Sequence, residues 1–128
     1  MFDYKKNENS GSELFVKGNK IFNKKGDRVL LTGVNCASLE WLSNPEKLLD
    51  TVTYALDEWN ANIIRLPLSQ DRWFGFGGDQ QGVDESGERY RGIVDSIVKT
   101  VAERNKYIIL DLHRSNCGSW GEFISGNM

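Results

Sequence analysis

Residues 62–67, Asn-Ile-Ile-Arg-Leu-Pro, form a short apolar run that carries one arginine near its end, and this pattern indicates the class of fold. Two further runs share its design: residues 29–35 end in Asn35, and residues 107–113 end in His113. Runs that are apolar almost throughout are typical of parallel strands covered on both faces. Because the carboxyl ends of parallel strands line the ligand site in such folds, we expect Asn35, Arg65 and His113 to converge there.

Two stretches between the runs have helical periodicity. The first opens with Asn-Pro-Glu at 44–46, a typical helix start, and its apolar stripe consists of Leu48, Leu49, Val52, Ala55, Leu56 and Trp59. The second repeats apolar residues three and four positions apart from Tyr90 to Ala102. Alternating strands and helices predict an α/β fold with parallel strands, either an open sheet or a (β/α)₈ barrel. Residues 33–38 contain no glycine-rich phosphate loop, which disfavours a nucleotide-binding sheet.

The segments outside this alternation predict a lead-in, a hairpin and a long loop. Residues 1–13 are polar, and we expect a disordered or loose lead-in before one domain at residues 14–128. Residues 14–17 and 20–23 predict a β-hairpin. Pro67 is expected to end the second parallel strand, since proline cannot donate to the ladder. Residues 69–89 predict a glycine-rich loop, and loops of that length are usually functional.

Composition and charge exclude several classes of function. Sixteen basic and eighteen acidic residues, with no long block of one sign, predict neither a nucleic-acid partner nor a membrane surface. No run approaches the roughly 20 apolar residues of a membrane span. Residues 1–11 lack the apolar centre of a secretory signal, so an exported parent protein would carry its signal elsewhere.

Cys36 and Cys117 do not have metal-ligand spacing with the single histidine, so we expect no metal site. Each cysteine follows a predicted strand. A disulfide between them and two buried thiols both stay open as interpretations.

Three of the four tryptophans, Trp41, Trp73 and Trp120, follow the three predicted parallel strands. Flat aromatic rings beside carboxamides and charged groups are suited to sugar rings, although aromatic side chains also commonly anchor loops. Glu40 and Glu122 are the carboxylates placed to act as a glycosidase pair, but both lie in loops, where catalytic groups are hard to position, and the pair is the least favoured hypothesis.

Arg65 and His113 each allow a structural and a functional interpretation. Arg65 either forms an ion pair with Asp111 or keeps a catalytic carboxylate ionised. His113 is either a hydrogen-bonding group at the site or a general base, and a lone histidine is more often structural.

Three motifs, G-V-N-C-A-S-L-E-W (33–41), I-R-L-P-L-S-Q-D-R-W-F-G (64–75) and Y-I-I-L-D-L-H (107–113), resemble glycoside hydrolase family 5, the cellulase family, in order and spacing. The resemblance spans about residues 14–128. It implies a (β/α)₈ TIM barrel, of which this chain is the N-terminal part, with about three βα units behind a leading hairpin.

The resemblance also implies retaining hydrolysis of β-linked glucan or a related polysaccharide, through a glycosyl-enzyme intermediate and without a cofactor. Arg65 corresponds to the arginine that supports the nucleophile, and His113 to a histidine that hydrogen-bonds the sugar. Asn35, Trp41 and Trp120 correspond to sugar-binding positions, and Trp73 is a further candidate beside them. Arg114 stands where similar sequences often carry an aromatic residue.

The family's two catalytic glutamates end its fourth and seventh strands, which lie beyond the three predicted here. We therefore expect a truncated, inactive chain from an exported hydrolase, whose partner is the rest of the barrel. The competing hypotheses are a non-catalytic carbohydrate-binding remnant that uses Trp41, Trp73 and Trp120, and a self-standing enzyme that uses Glu40 and Glu122.

Overall fold

A computed structural model describes residues 13–75 and 86–114. Within these ranges the elements, in chain order, are β1 (Leu14–Lys17), β2 (Lys20–Asn23), β3 (Arg28–Val29), β4 (Gly33–Asn35), α1 (Leu48–Asp57), β5 (Ile63–Ser69), α2 (Gln70–Phe74), α3 (Glu88–Glu103) and β6 (Tyr107–Arg114). None of the helices in this part of the chain is long and apolar enough to cross a membrane. The predicted lead-in lies outside the described residues except for Glu13, so the domain boundary stays a prediction.

The strands form two sheets. Strands β1, β2 and β3 form an antiparallel sheet, which confirms the predicted hairpin and adds a third strand to it. Strands β4, β5 and β6 form a parallel sheet in that order, with β5 in the middle. The predicted alternation of parallel strands and helices is therefore confirmed.

The prediction of one continuous strand over residues 29–35 is wrong, because the run is divided between the two sheets. Strand β3 ends at Val29 and β4 begins at Gly33. The connection is held by Asn62, whose Oδ1 accepts from the backbone N of Thr32 at 2.8 Å and whose Nδ2 donates to the carbonyl of Leu30 at 2.7 Å. The Leu30 side chain is 70% exposed. An apolar run does not reveal by itself where a chain leaves one sheet for another.

Strand β4 approaches β5 so closely that its first residue must be glycine. A Cβ atom built on Gly33 would overlap the backbone carbonyl of Ile63, its partner in the register. Because backbone atoms cannot rotate away as a side chain does, a larger residue at Gly33 would separate the two strands.

The first helix starts later and ends earlier than its sequence predicts. Helix α1 begins at Leu48, after Lys47 in the left-handed conformation (φ 58°), and no side chain caps it, so Asn44 is not the N-cap. The buried residues are Leu48, Val52, Ala55 and Leu56. Leu49 is exposed, and Trp59 is 66% exposed because the helix ends at Asp57, before the turn that would have carried the indole to the core.

Helix α3 and the parallel sheet form the core as predicted. One buried cluster joins α3 to β5. Helix α3 contributes Tyr90, Val94, Ile97 and Val101, and β5 contributes its alternate residues Ile64, Leu66 and Leu68. Burial of such side chains stabilises each by roughly 1.5–3 kcal/mol relative to an exposed position.

Two boundaries after β5 correct the sequence prediction. Strand β5 passes through Pro67 and ends at Ser69, because β4 pairs with β5 only as far as Arg65 and Pro67 has β6 as its paired neighbour. Proline is tolerated at such an edge-like position. Part of the predicted loop 69–89 is helical: α2 occupies Gln70–Phe74 and α3 starts at Glu88.

Replacement of Asn62 by alanine is expected to lower the free energy of unfolding by about 2 kcal/mol, because two hydrogen bonds of roughly 1 kcal/mol each are lost. Urea unfolding followed by circular dichroism measures the difference. The exposed Asn44→Ala variant serves as the control and should stay within about 0.5 kcal/mol of the wild type. Equal destabilisation by both substitutions would contradict the role of the Asn62 carboxamide.

The ion pair between Asp57 and Arg104 predicts a pH dependence. Arg104 donates from Nε and Nη2 to the two carboxylate oxygens at 2.7 and 2.9 Å, and these hydrogen bonds lower the pKa of Asp57 below its ordinary value of 3.8. The stabilisation is therefore present above pH 3.8 and is lost as the pH falls through the lower folded-state pKa.

Asp57→Asn should consequently lose less of its Tm than the wild type between about pH 5 and about pH 2. Thermal unfolding across that range tests the expectation. Asp50→Asn, in the first turn of the same helix, is the matched control and should retain the wild-type acid sensitivity. An Asp57→Asn curve parallel to that of the wild type would count against the pair.

Candidate functional site

Four polar side chains gather on the face of the parallel sheet that is turned away from the apolar core. Side chains alternate along a strand, and Ile64, Leu66 and Leu68 of β5 point into the core with the helices. Arg65 therefore points to the opposite face. There it contacts Asn35 at the end of β4 and two alternate residues of β6, Asp111 and His113.

Arg65 is the centre of this cluster, which we call the Arg65 cluster (Asn35, Arg65, Asp111 and His113). Its Nη1 donates to Asn35 Oδ1 at 3.1 Å, and its Nη2 forms an ion pair with Asp111 and lies 3.2 Å from His113 Nδ1. His113 Nδ1 also lies 3.0 Å from Asp111 Oδ2. The structure thus brings Asn35, Arg65 and His113 together and gives Arg65 the carboxylate partner that the sequence left open.

The chemistry of the cluster favours a neutral, hydrogen-bonding ligand. The guanidinium and the Asp111 carboxylate balance in charge, and Asn35 adds a carboxamide that can donate and accept. The side chains of Arg65 and Asp111 are 33% and 29% exposed, so a ligand on this face can reach them. Rigid strands position all four residues, which holds their donors and acceptors in fixed directions.

Two of the three tryptophans proposed as sugar-binding residues lie in the described ranges, and their environments differ. Trp41 lies in the loop after β4 and is 46% exposed. Trp73 belongs to helix α2, not to a loop, and it is partly buried against the core. This placement corrects the predicted loop position and favours the anchoring interpretation for Trp73. Trp120 lies outside the described residues.

The loop that carries Trp41 is fastened by two buried polar side chains whose role sequence reasoning missed. Arg72 of α2, only 2% exposed, donates from Nη1 to Ser43 Oγ and from Nη2 to the Trp41 carbonyl, both at 2.6 Å. The Tyr90 hydroxyl donates to the Leu39 carbonyl at 2.6 Å and accepts from the Ser69 backbone N at 2.9 Å. Tyr90 occupies a position of the apolar stripe of α3, and the stripe does not reveal where a hydroxyl points.

Glu40 is a buried carboxylate that forms a hydrogen bond within its own loop. Its side chain is 7% exposed, and Oε2 accepts from the backbone N of Ser38 at 2.9 Å, inside its own loop. Its proposed partner Glu122 lies outside the described residues. The described part of the pair therefore fits a structural role.

The remaining reactive groups show no metal site in the described ranges. Residues 13–75 and 86–114 contain no group of three or more His, Cys, Asp and Glu side chains that could hold a metal ion. Cys36 is buried, and burial raises the pKa of its thiol. Cys117 lies outside the described residues, so the disulfide and the two buried thiols both stay open as interpretations.

Burial raises the pKa of Tyr90 from 10.0 to about 12, which predicts an alkaline loss of stability. Below pH 10 the phenol is neutral in both states, and between pH 10 and about 12 it ionises only in the unfolded chain, so the folded state loses stability there. Tyr90→Phe removes this loss but lowers stability near pH 7 by about 1–2 kcal/mol, because two buried backbone groups lose a partner.

Urea unfolding at several pH values between neutral and alkaline measures both effects. Tyr54→Phe, at an exposed tyrosine, is the matched control and should follow the wild-type profile. An alkaline slope for Tyr90→Phe equal to that of the wild type would refute the prediction.

Comparison with known protein sequences gives two related matches. The model of the cellulase family, glycosyl hydrolase family 5, matches residues 22–127. Endoglucanase A of Butyrivibrio fibrisolvens is 28% identical over 112 residues, which are 87% of this chain and 25% of that protein. The chain thus spans about a quarter of the length of this relative.

Comparison with solved structures points to the same fold. A hyperthermostable endocellulase matches 83% of this chain with 21% identity and a TM-score of 0.59, and the match covers 32% of its own chain. The catalytic domain of Thermobifida fusca endoglucanase Cel5A in complex with cellotetraose matches 81% with 20% identity and a TM-score of 0.54, and the match covers 31% of its chain. The α/β arrangement of this chain is therefore the N-terminal part of a (β/α)₈ barrel, which is one of the two architectures that its alternating strands and helices allow and the one that the family resemblance implies.

Proposed function

The chain belongs to the cellulase family, glycosyl hydrolase family 5, and from this premise we propose that its Arg65 cluster binds the glucan chain in a β-glucan hydrolase. The observation that supports the proposal is the gathering of Asn35, Asp111 and His113 around Arg65 on one face of the sheet. In a closed barrel this face is the interior, and ligands bind where it opens at the carboxyl ends of the strands.

Each group of the cluster has a distinct role in this proposal. His113 and Asn35 hydrogen-bond sugar hydroxyls, while Arg65, oriented by Asp111, presents its charge to the carboxylate that attacks the sugar. Trp41, half-exposed in the loop after β4, stacks against the apolar face of a sugar ring. Trp120 is proposed as a further stacking residue, and Trp73 contributes by anchoring α2.

The complete reaction is proposed to be retaining hydrolysis, which needs one carboxylate as acid and base and a second as nucleophile, about 5–5.5 Å apart. We place both carboxylates on other strands of the barrel, and we assign the Arg65 cluster to substrate binding. A polysaccharide substrate is outside the cell, and we therefore expect the whole protein to be exported.

The proposal is tested on the natural protein that carries these residues, with cellotetraose as substrate. His113→Ala and Arg65→Lys should each lower kcat/KM about 10- to 100-fold. The first substitution removes a hydrogen bond to the sugar, and the second removes hydrogen bonds of the guanidinium within the Arg65 cluster. Trp59→Ala is the matched control: its indole is exposed beyond the C-terminal end of α1, away from the Arg65 cluster, and its removal should leave kcat/KM unchanged.

Two results would contradict the proposal. Wild-type protein that neither binds nor cleaves cellotetraose or longer β-glucans in calorimetry and product assays removes glucan as the ligand. If the natural protein binds these glucans but does not cleave them, the hydrolase proposal is refuted and the non-catalytic carbohydrate-binding hypothesis is favoured.

A further inference from the structure

The backbone of Trp41 is held on both sides while its indole is left open. The loop of residues 36–43, called the Trp41 loop here, connects β4 to the segment before α1. The Trp41 N–H donates to the Ser38 carbonyl at 3.1 Å, and the Trp41 carbonyl accepts from Arg72 Nη2 at 2.6 Å. The side chain is 46% exposed. The backbone of Trp41 is therefore fixed, and its exposed aromatic ring is available to contact a ligand.

Arg72 is an unusual choice if it serves stability alone. Its side chain is 2% exposed, and removing a guanidinium from water carries a desolvation cost that an apolar residue of similar size would avoid. Its Nη1 and Nη2 donate to two acceptors of one loop, the Ser43 hydroxyl and the Trp41 carbonyl. The planar fork of arginine adds directional specificity that lysine or methionine lacks.

A second fastening joins the same loop to the strand that carries Arg65. The Tyr90 hydroxyl bridges the Leu39 carbonyl of the loop and the backbone N of Ser69, the last residue of β5. Ser38 has a φ of 118°, a conformation that non-glycine residues rarely adopt, and its N–H donates to the buried Glu40 carboxylate. The loop therefore holds a strained turn and is bound to β5 and α2.

We propose that Arg72 is a positioning residue that fixes the Trp41 indole in the orientation that receives a sugar ring, with Tyr90 holding the same loop to β5; this inference rests on the proposed function. A ring that is already fixed loses little conformational freedom when a ligand stacks on it, so affinity rises without any contact between Arg72 and the sugar.

The orientation of the indole is measured without any ligand. The natural protein is labelled with 5-fluorotryptophan, and the ¹⁹F resonance of Trp41 is assigned as the one lost in Trp41→Phe. Arg72→Lys should move this resonance toward the shift of free 5-fluorotryptophan and leave that of Trp59 in place. Tyr90→Phe, which preserves the packed ring, should move it in the same direction and covers the case in which Arg72→Lys does not fold.

Calorimetry with cellotetraose then tests the consequence for binding. Arg72→Lys should weaken binding about three- to tenfold in the wild-type background but less than about twofold in Trp41→Ala, because the effect of Arg72 passes through the indole. The inference is overturned if the Arg72→Lys variant has the wild-type Trp41 resonance and also binds cellotetraose with wild-type affinity. Equal weakening in both backgrounds also overturns it, since Arg72 then acts by another route.

A failure of the proposed function gives a different combination of results from these two experiments. If the Trp41 resonance responds to Arg72→Lys while the wild type does not bind cellotetraose, Arg72 positions the indole, and the sugar as ligand is refuted.

Discussion

The alternation of side chains along β5 is the constraint on which both the core and the site depend. Residues at 64, 66 and 68 are buried against helices, and Arg65 between them is forced to the opposite face. Because β5 lies in the middle of the parallel sheet, that face receives side chains from both neighbouring strands. A shift of one residue in register would bury the guanidinium among apolar helices and expose the core.

The parallel register also explains the composition of the Arg65 cluster. Asn35 lies directly beside Arg65 across the β4–β5 ladder, whereas Asp111 and His113 lie further along β6, where the arginine side chain can reach them. The result is a nearly neutral set of donors and acceptors on a rigid sheet. Such a surface is suited to polyhydroxylated ligands, whose recognition depends on the direction of hydrogen bonds and not on net charge.

Buried polar groups also fix the Trp41 loop, which follows β4 along the chain. Arg72, Tyr90 and Glu40 each bond to backbone or hydroxyl groups of residues 38–43, so the loop is held by side chains from α2, from α3 and from itself. Each bond satisfies a polar group that would otherwise be costly to bury. Together the bonds fix the conformation of a segment that is neither helix nor strand. The family match places this arrangement in a cellulase-type barrel.

The amino-acid sequence was enough to predict the parallel strands, the long helix α3, the hairpin and the convergence of Asn35, Arg65 and His113, because hydrophobic periodicity and strand ends are local properties of the chain. It did not determine where residues 29–35 divide, because the Asn62 side chain that holds this connection lies 30 and 32 residues from its backbone partners. Nor did it determine that α1 begins only after the left-handed Lys47, or that Trp73 belongs to a helix. Only the tertiary structure decided that Arg72 and Tyr90 fasten the Trp41 loop. Their partners lie 29–51 residues away along the chain for the bonds to Ser43, Trp41 and Leu39, and no local pattern encodes a hydrogen bond over that separation.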